Sequence, residues 1–144
     1  RFEFISMQSI KEKDDSLLHQ LAERVGGEVI QPDSFLDLMK RLEEAEFAIG
    51  MRLHFLIAAL MAQTPALPIS YSPKVEAIFK KIPLEPYTLG VDELSVERLT
   101  QNLKRLSVDY NNVKVYEKKR AEFFVEQAQK TSNLFYQFSA DLGR

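Results

Sequence analysis

The chain has 144 residues, a formal net charge of −2 (19 Lys and Arg against 21 Asp and Glu) and a hydrophobic fraction of 45%. That is the size and composition of one ordinary globular domain, with no basic excess to draw nucleic acid or an anionic membrane. There is no cysteine, which excludes disulfides, thiol nucleophiles and thiolate metal sites and fits a cytoplasmic protein.

The chain opens on an alternating apolar run, Phe2–Met7, which predicts a strand from the first residues onward. An opening in mid-strand gives the expectation of an excised domain. Gln8–Lys13 is a polar connection. Asp14 or Asp15 can cap a helix whose apolar stripe is Leu17, Leu18, Leu21 and Val25, and Gly26-Gly27 ends it. Val29-Ile30 is a second short strand. Pro32-Asp33-Ser34 opens a second helix, with Phe35, Leu38, Met39 and Leu42 as its inner face.

Phe47–Gly50 reads as a buried strand and Phe55–Met61 as an apolar helix ending before Pro65. Ala66–Tyr71 is the next strand, with Pro68 marking an imperfect or edge ladder. Ser72-Pro73-Lys74 starts another helix, with Val75, Ile78 and Phe79 on its apolar side. Leu84–Leu89 is a fifth strand weakened by Pro86, and Leu94–Leu106 a helix carrying Leu99, Leu103 and Leu106. From Tyr110 to Leu142 the pattern is helical, as one helix or as two broken near Asp109–Asn112. Tyr116, Phe123, Phe124, Thr131, Phe135 and Phe138 lie on its broad apolar face. Strands alternating with helices predict an α/β fold with a doubly wound parallel sheet. Residues 1–109 would be its core. Residues 110–144 would be a helical segment packing on the domain, or across to a further domain.

Several chemistries lack their residues. No three glycines follow a strand at dinucleotide-binding spacing, and no P-loop or Gly-x-Ser-x-Gly elbow is present. His19 and His54 are far apart, and no His pair has metal-ligand spacing. The acid pairs Asp14-Asp15 and Glu43-Glu44 are sequence neighbours that point apart on a helix.

Two turns suit an anion. In Gly50-Met51-Arg52-Leu53-His54, glycine permits an unusual backbone or a close approach, and Arg52 can clasp a carboxylate or phosphate. His54 can give a proton, and the helix start adds amide donors. The same residues would also serve a purely structural turn, with Arg52 paired to an acid and His54 at the cap. In Tyr71-Ser72-Pro73-Lys74, Ser72 is a natural cap. Lys74 is a cation in a first helical turn, where a stabilising helix would carry an acid. Both turns follow strands, where α/β folds bind ligands.

Gly50-Met51-Arg52-Leu53-His54-Phe55-Leu56-Ile57-Ala58-Ala59, then Pro65, then Ile69-Ser70-Tyr71-Ser72-Pro73-Lys74-Val75 resembles the core of the polysaccharide pyruvyltransferase family. Gln63-Thr64 stands where a glycine is common in that family, and Ser72 where an acid is common. The resemblance implies a C-terminal, Rossmann-like half of a two-domain glycosyltransferase-B type enzyme, inactive without its N-terminal half. It implies transfer of a pyruvyl group from phosphoenolpyruvate to a sugar of a cell-wall or exopolysaccharide unit, forming a ketal, with no cofactor. Arg52 and His54 would be catalytic and would hold phosphoenolpyruvate, with Gly50, Ser72 and Lys74 lining the substrate site. The implied partners are phosphoenolpyruvate, a saccharide acceptor (lipid-linked acceptors included), the missing N-terminal domain, and a second copy if the aromatic helix face is exposed. Two other readings of the architecture are a nucleotide-sugar glycosyltransferase or epimerase half, and a non-catalytic α/β interaction domain.

Overall fold

The computed structural model describes residues 1–7, 14–73 and 85–142. In chain order the elements are β1 (Glu3–Ile5), α1 (Asp14–Val25), β2 (Glu28–Ile30), α2 (Phe35–Glu44), β3 (Ala48–Gly50), α3 (Leu53–Met61) and β4 (Ala66–Ser70). After them come a 3-10 turn at Glu85–Tyr87, β5 (Leu89–Gly90), a second such turn at Val91–Glu93, α4 (Val96–Val108) and α5 (Tyr110–Leu142). Several predicted features lie outside the described residues. They are the Gln8–Lys13 connection, the Asp14 and Asp15 side chains, the helix from Lys74 through Val75, Ile78 and Phe79, Leu84, and the Phe138 side chain.

The fold is α/β with parallel strands, as the alternation predicts. Among the described residues the strands form two small sheets instead of one: β1 with β2, and β3-β4-β5. One core serves both, since Ile5 and Met7 pack against the same cluster as Leu38, Leu42, Phe55, Leu56 and Leu67. α3 is its centre. Its apolar sequence buries Phe55, Leu56, Ala58, Ala59 and Leu60, so it is enclosed on most sides instead of presenting one stripe.

α2 follows its prediction closely. Ser34 Oγ accepts from the Asp37 amide at 3.1 Å, and Leu38 and Leu42 are buried. α1 does not follow it. Ala22 is buried, but Leu17, Leu21 and Val25 are exposed. α1 packs on the narrow β1–β2 sheet, which has too little surface to cover a full leucine stripe. Gly26, at φ 67°, ends α1 in the left-handed region.

Two boundaries moved. β5 is Leu89–Gly90 and not Leu84–Leu89, because the chain around Pro86 takes a 3-10 turn. That turn buries Tyr87, whose hydroxyl donates to Asp109 Oδ2 at 2.6 Å. α4 begins at Val96, where Ser95 Oγ accepts from the Arg98 amide. Asp109 separates α4 from α5, and α5 is then one unbroken helix of 33 residues.

The packed face of α5 also differs from the aromatic one predicted. Val113, Glu117 and Ala121 are buried, whereas Tyr116, Phe123, Phe124 and Phe135 are exposed. Thr131 is exposed as well, and its hydroxyl donates back to the Gln127 carbonyl at 3.0 Å. No helix among the described residues is long and apolar enough to cross a membrane.

Candidate active site

β3 and β4 run side by side in parallel, with Gly50 opposite Pro68. β4 continues to Ser70, which β5 meets at Gly90. The chain therefore leaves three neighbouring strands at one carboxyl edge: through Gly50-Met51-Arg52, through Tyr71-Ser72-Pro73 and through Val91-Asp92. Adjacent strands lie about 4.8 Å apart, so the two predicted anion turns are neighbours.

Arg52 is the N-cap residue of α3, with extended backbone at φ −80° and ψ 126°. Its carbonyl accepts the Leu56 amide at 3.1 Å. Its side chain makes no capping hydrogen bond, and the first turn of α3 carries no acid. The positive end of the helix is thus not offset by a carboxylate of its own. Arg52 and His54 are both exposed, which follows from their position: the inward places of this turn are taken by Phe55 and Leu56, both buried. Arg52 and His54 both stand at the helix start, where an anion would meet charge and amide donors.

Of the two roles open to Gly50, the structure shows the close approach. Its φ is not in the left-handed region. The group that comes close is the Phe55 ring, whose edge occupies the place of a Gly50 Cβ. The glycine lets α3 seat its first aromatic against the end of β3, and this fixes where Arg52 and His54 stand.

Ser72 is half-buried beside this turn, and its carbonyl accepts the hydroxyl of the buried Ser70 at 3.2 Å. Ser70 thereby ties the exit of β4. Lys74 lies outside the described residues. His19 is exposed on α1, as its polar neighbours suggested.

Two features escaped the sequence reading. Met51, Tyr71 and Val91 are exposed apolar residues at three consecutive strand exits, flanking Arg52 and His54 with greasy surface. The signal was available, since each is the residue just past a strand. The second is a pocket of about 330 Å³ at the carboxyl ends of β1 and β2, lined by Ser6, Met7, Gln31, Pro32, Ser34 and Phe35. Among the described residues no group of three or more His, Cys, Asp and Glu side chains could hold a metal ion.

Residues 4–73 match the family model described as Polysaccharide pyruvyl transferase. The chain resembles this family of transferases. The polysaccharide pyruvyl transferase match runs from β1 through the end of β4 and takes in both turns of the site. It reaches further toward the N-terminus than the motif from Gly50 to Val75, and α4 and α5 lie beyond it. No curated protein and no solved structure matches the chain.

Proposed function

We propose that this chain is the C-terminal half of a glycosyltransferase-B type pyruvyltransferase, and that its β3–α3 turn binds phosphoenolpyruvate. One observation carries the reading. Within the stretch that matches the family, Arg52 and His54 are both exposed at a helix start whose first turn carries no acid, on the carboxyl edge of a parallel sheet.

The chemistry suits these groups. Arg52 pairs in two-pronged fashion with the carboxylate or phosphate of the donor. A sugar hydroxyl adds to the enol carbon of phosphoenolpyruvate while His54 gives a proton to the terminal methylene, which becomes a methyl group, and the proton of the attacking hydroxyl passes to the imidazole and restores it. A second hydroxyl of the same sugar then displaces phosphate and closes the cyclic ketal, its proton leaving with the phosphate. One diol and one phosphoenolpyruvate give one ketal and one inorganic phosphate. Lys74 is proposed as a further positive charge for the donor. The exposed surfaces of Met51 and Tyr71 suit the apolar face of a sugar ring. The acceptor is a unit of a cell-wall or exopolysaccharide.

The test is phosphate release from phosphoenolpyruvate by the full-length protein with a candidate saccharide diol. Release that needs the saccharide and is lost in His54→Ala supports the reading. Binding of a uridine-diphosphate sugar, with no turnover of phosphoenolpyruvate, replaces it with a glycosyltransferase half.

A further inference from the structure

Glu117 has no part in the chemistry above, yet it is completely buried, at 0% exposure. It lies on α5 four residues after Val113 and four before Ala121, on the face that packs against α3. Neither carboxyl oxygen has a hydrogen-bond partner among the described residues.

The hydrogen bonding of β4 accounts for the position. The Ala48 amide donates to the Pro65 carbonyl at 3.0 Å, with Ala48 opposite Ala66. Amides alternate sides along a strand, so Leu67 and Ile69 face β3 and Ala66 faces away. On that far side β5 reaches only Ile69 and Ser70. Pro68 has no N–H to leave unpaired there, which is how a proline sits inside this strand. Among the described residues no strand pairs with Ala66 on that side, and its amide is the backbone donor that opposes the effect of burial on the Glu117 carboxyl.

We propose that the seating of α5 on α3 and beside Ala66 of β4 is proton-linked: the helix docks with Glu117 as a neutral acid, and loss of that proton releases the first turns of the helix. A carboxylate buried without partners is strongly penalised, whereas the neutral acid is tolerated. Burial pushes the Glu117 carboxyl up to about 8, against the weaker opposite pull of the Ala66 amide and Lys114.

Among the described residues the charge that opposes the burial is Lys114, and burial outweighs it. On α5, the Lys114 ammonium lies 5.5 Å from the Tyr110 ring centre. Arg120 is stacked over Phe123 and Phe124, at 4.9 and 5.4 Å. On α4, Arg105 is held by the Pro86 carbonyl at 3.3 Å and the Tyr87 ring, while Asp109 accepts the Tyr87 hydroxyl. The titratable side chain of α3 is His54, at its exposed end; β3, β4 and the turn from Ala62 to Pro65 carry none.

The sign follows from linkage. The docked carboxyl holds its proton more tightly than a free one, whose ordinary value is 4.5. Docking is therefore strongest below that value, weakens as the pH rises toward 8, and levels off above it.

Amide hydrogen exchange from Val113 to Ala121, corrected for the intrinsic pH dependence, reads the docking directly. Protection should fall by up to about tenfold per pH unit across that window, and Glu117→Gln should flatten the profile. A flat profile in the unmodified protein, or the same slope in Glu117→Gln, overturns the proposal. Should Glu117→Gln fail to seat the helix, carbon NMR of the Glu117 carboxyl in the unmodified protein decides. Titration far above the other glutamates, with Val113 and Ala121 shifting in step, supports proton-linked docking; titration in the ordinary carboxylate range overturns it.

Discussion

The Phe55 ring stands where a side chain on Gly50 would have to be. A strand end and the start of the next helix are thereby locked by one aromatic contact, and between them lie Arg52 and His54, the residues proposed to hold the donor. Gly50→Ala should therefore act twice. It overpacks a buried ring, at a cost of about 1–3 kcal/mol, and it moves the first turn of α3. The expected result is a lower urea midpoint together with weaker phosphoenolpyruvate binding. An unchanged midpoint would mean that the ring yields freely.

Gln63 sits at φ 58°, a left-handed conformation that glycine adopts without strain. It closes α3. The Gln63 amide donates to Leu60 O at 3.1 Å, and the Thr64 amide donates to Ala59 O at 2.9 Å, the paired bonds of a Schellman end. Gln63→Gly should raise stability by about 1 kcal/mol through relief of that strain, measured by chemical denaturation. A loss of stability would show that the glutamine side chain contributes more than its backbone conformation costs.

Tyr87 pins the turn before β5 to the α4–α5 corner, with its hydroxyl on Asp109 and its carbonyl accepting from Asn102 Nδ2 at 3.2 Å. Tyr87→Phe should cost about 1–2 kcal/mol. Burial, reinforced by the hydrogen bond to Asp109, pushes the phenol up to about 12 from its ordinary 10. The folded state thus keeps this proton longer than the unfolded chain does. Its contribution is full below pH 10 and declines as the pH rises toward 12. An ultraviolet phenolate titration should show one late-ionising tyrosine among the five, absent in Tyr87→Phe.

Legibility followed how local the determinants are. α2 could be read because its cap, Ser34, and its inward leucines, Leu38 and Leu42, are set by spacing within one helix. The Gly50–His54 turn could be read because a buried strand runs directly into an apolar helix. α1 departs from its prediction because its leucine stripe satisfies the same spacing rule, while the sheet beneath it is, among the described residues, two short strands wide. That width depends on pairing between distant segments. β5 was misplaced because Leu84–Leu89 has strand composition, whereas Tyr87 is drawn into a turn by Asp109, 22 residues away. Glu117 could not be found from composition at all. A glutamate in a charged stretch of helix reads as solvated, and only the four-residue spacing from Val113 and to Ala121 marks it as inward.

The exposed aromatic surface of α5 beyond Ala121 carries its own prediction. Phe135 and Tyr136 are each 69% exposed, and neighbouring exposed apolar side chains favour association. The chain should show concentration-dependent self-association in sedimentation velocity. Replacing both residues with serine should reduce it without lowering the urea midpoint, since neither packs on the core. Unchanged association would move the contact elsewhere.

The central claim is that the β3–α3 turn holds phosphoenolpyruvate, and calorimetric titration of the full-length protein tests it most directly. The account predicts saturable binding, weakened about tenfold or more by Arg52→Ala through loss of a charge-assisted contact and also weakened by His54→Ala, with both variants folded. Absence of phosphoenolpyruvate binding in the well-folded protein, or binding that neither substitution changes, would contradict it.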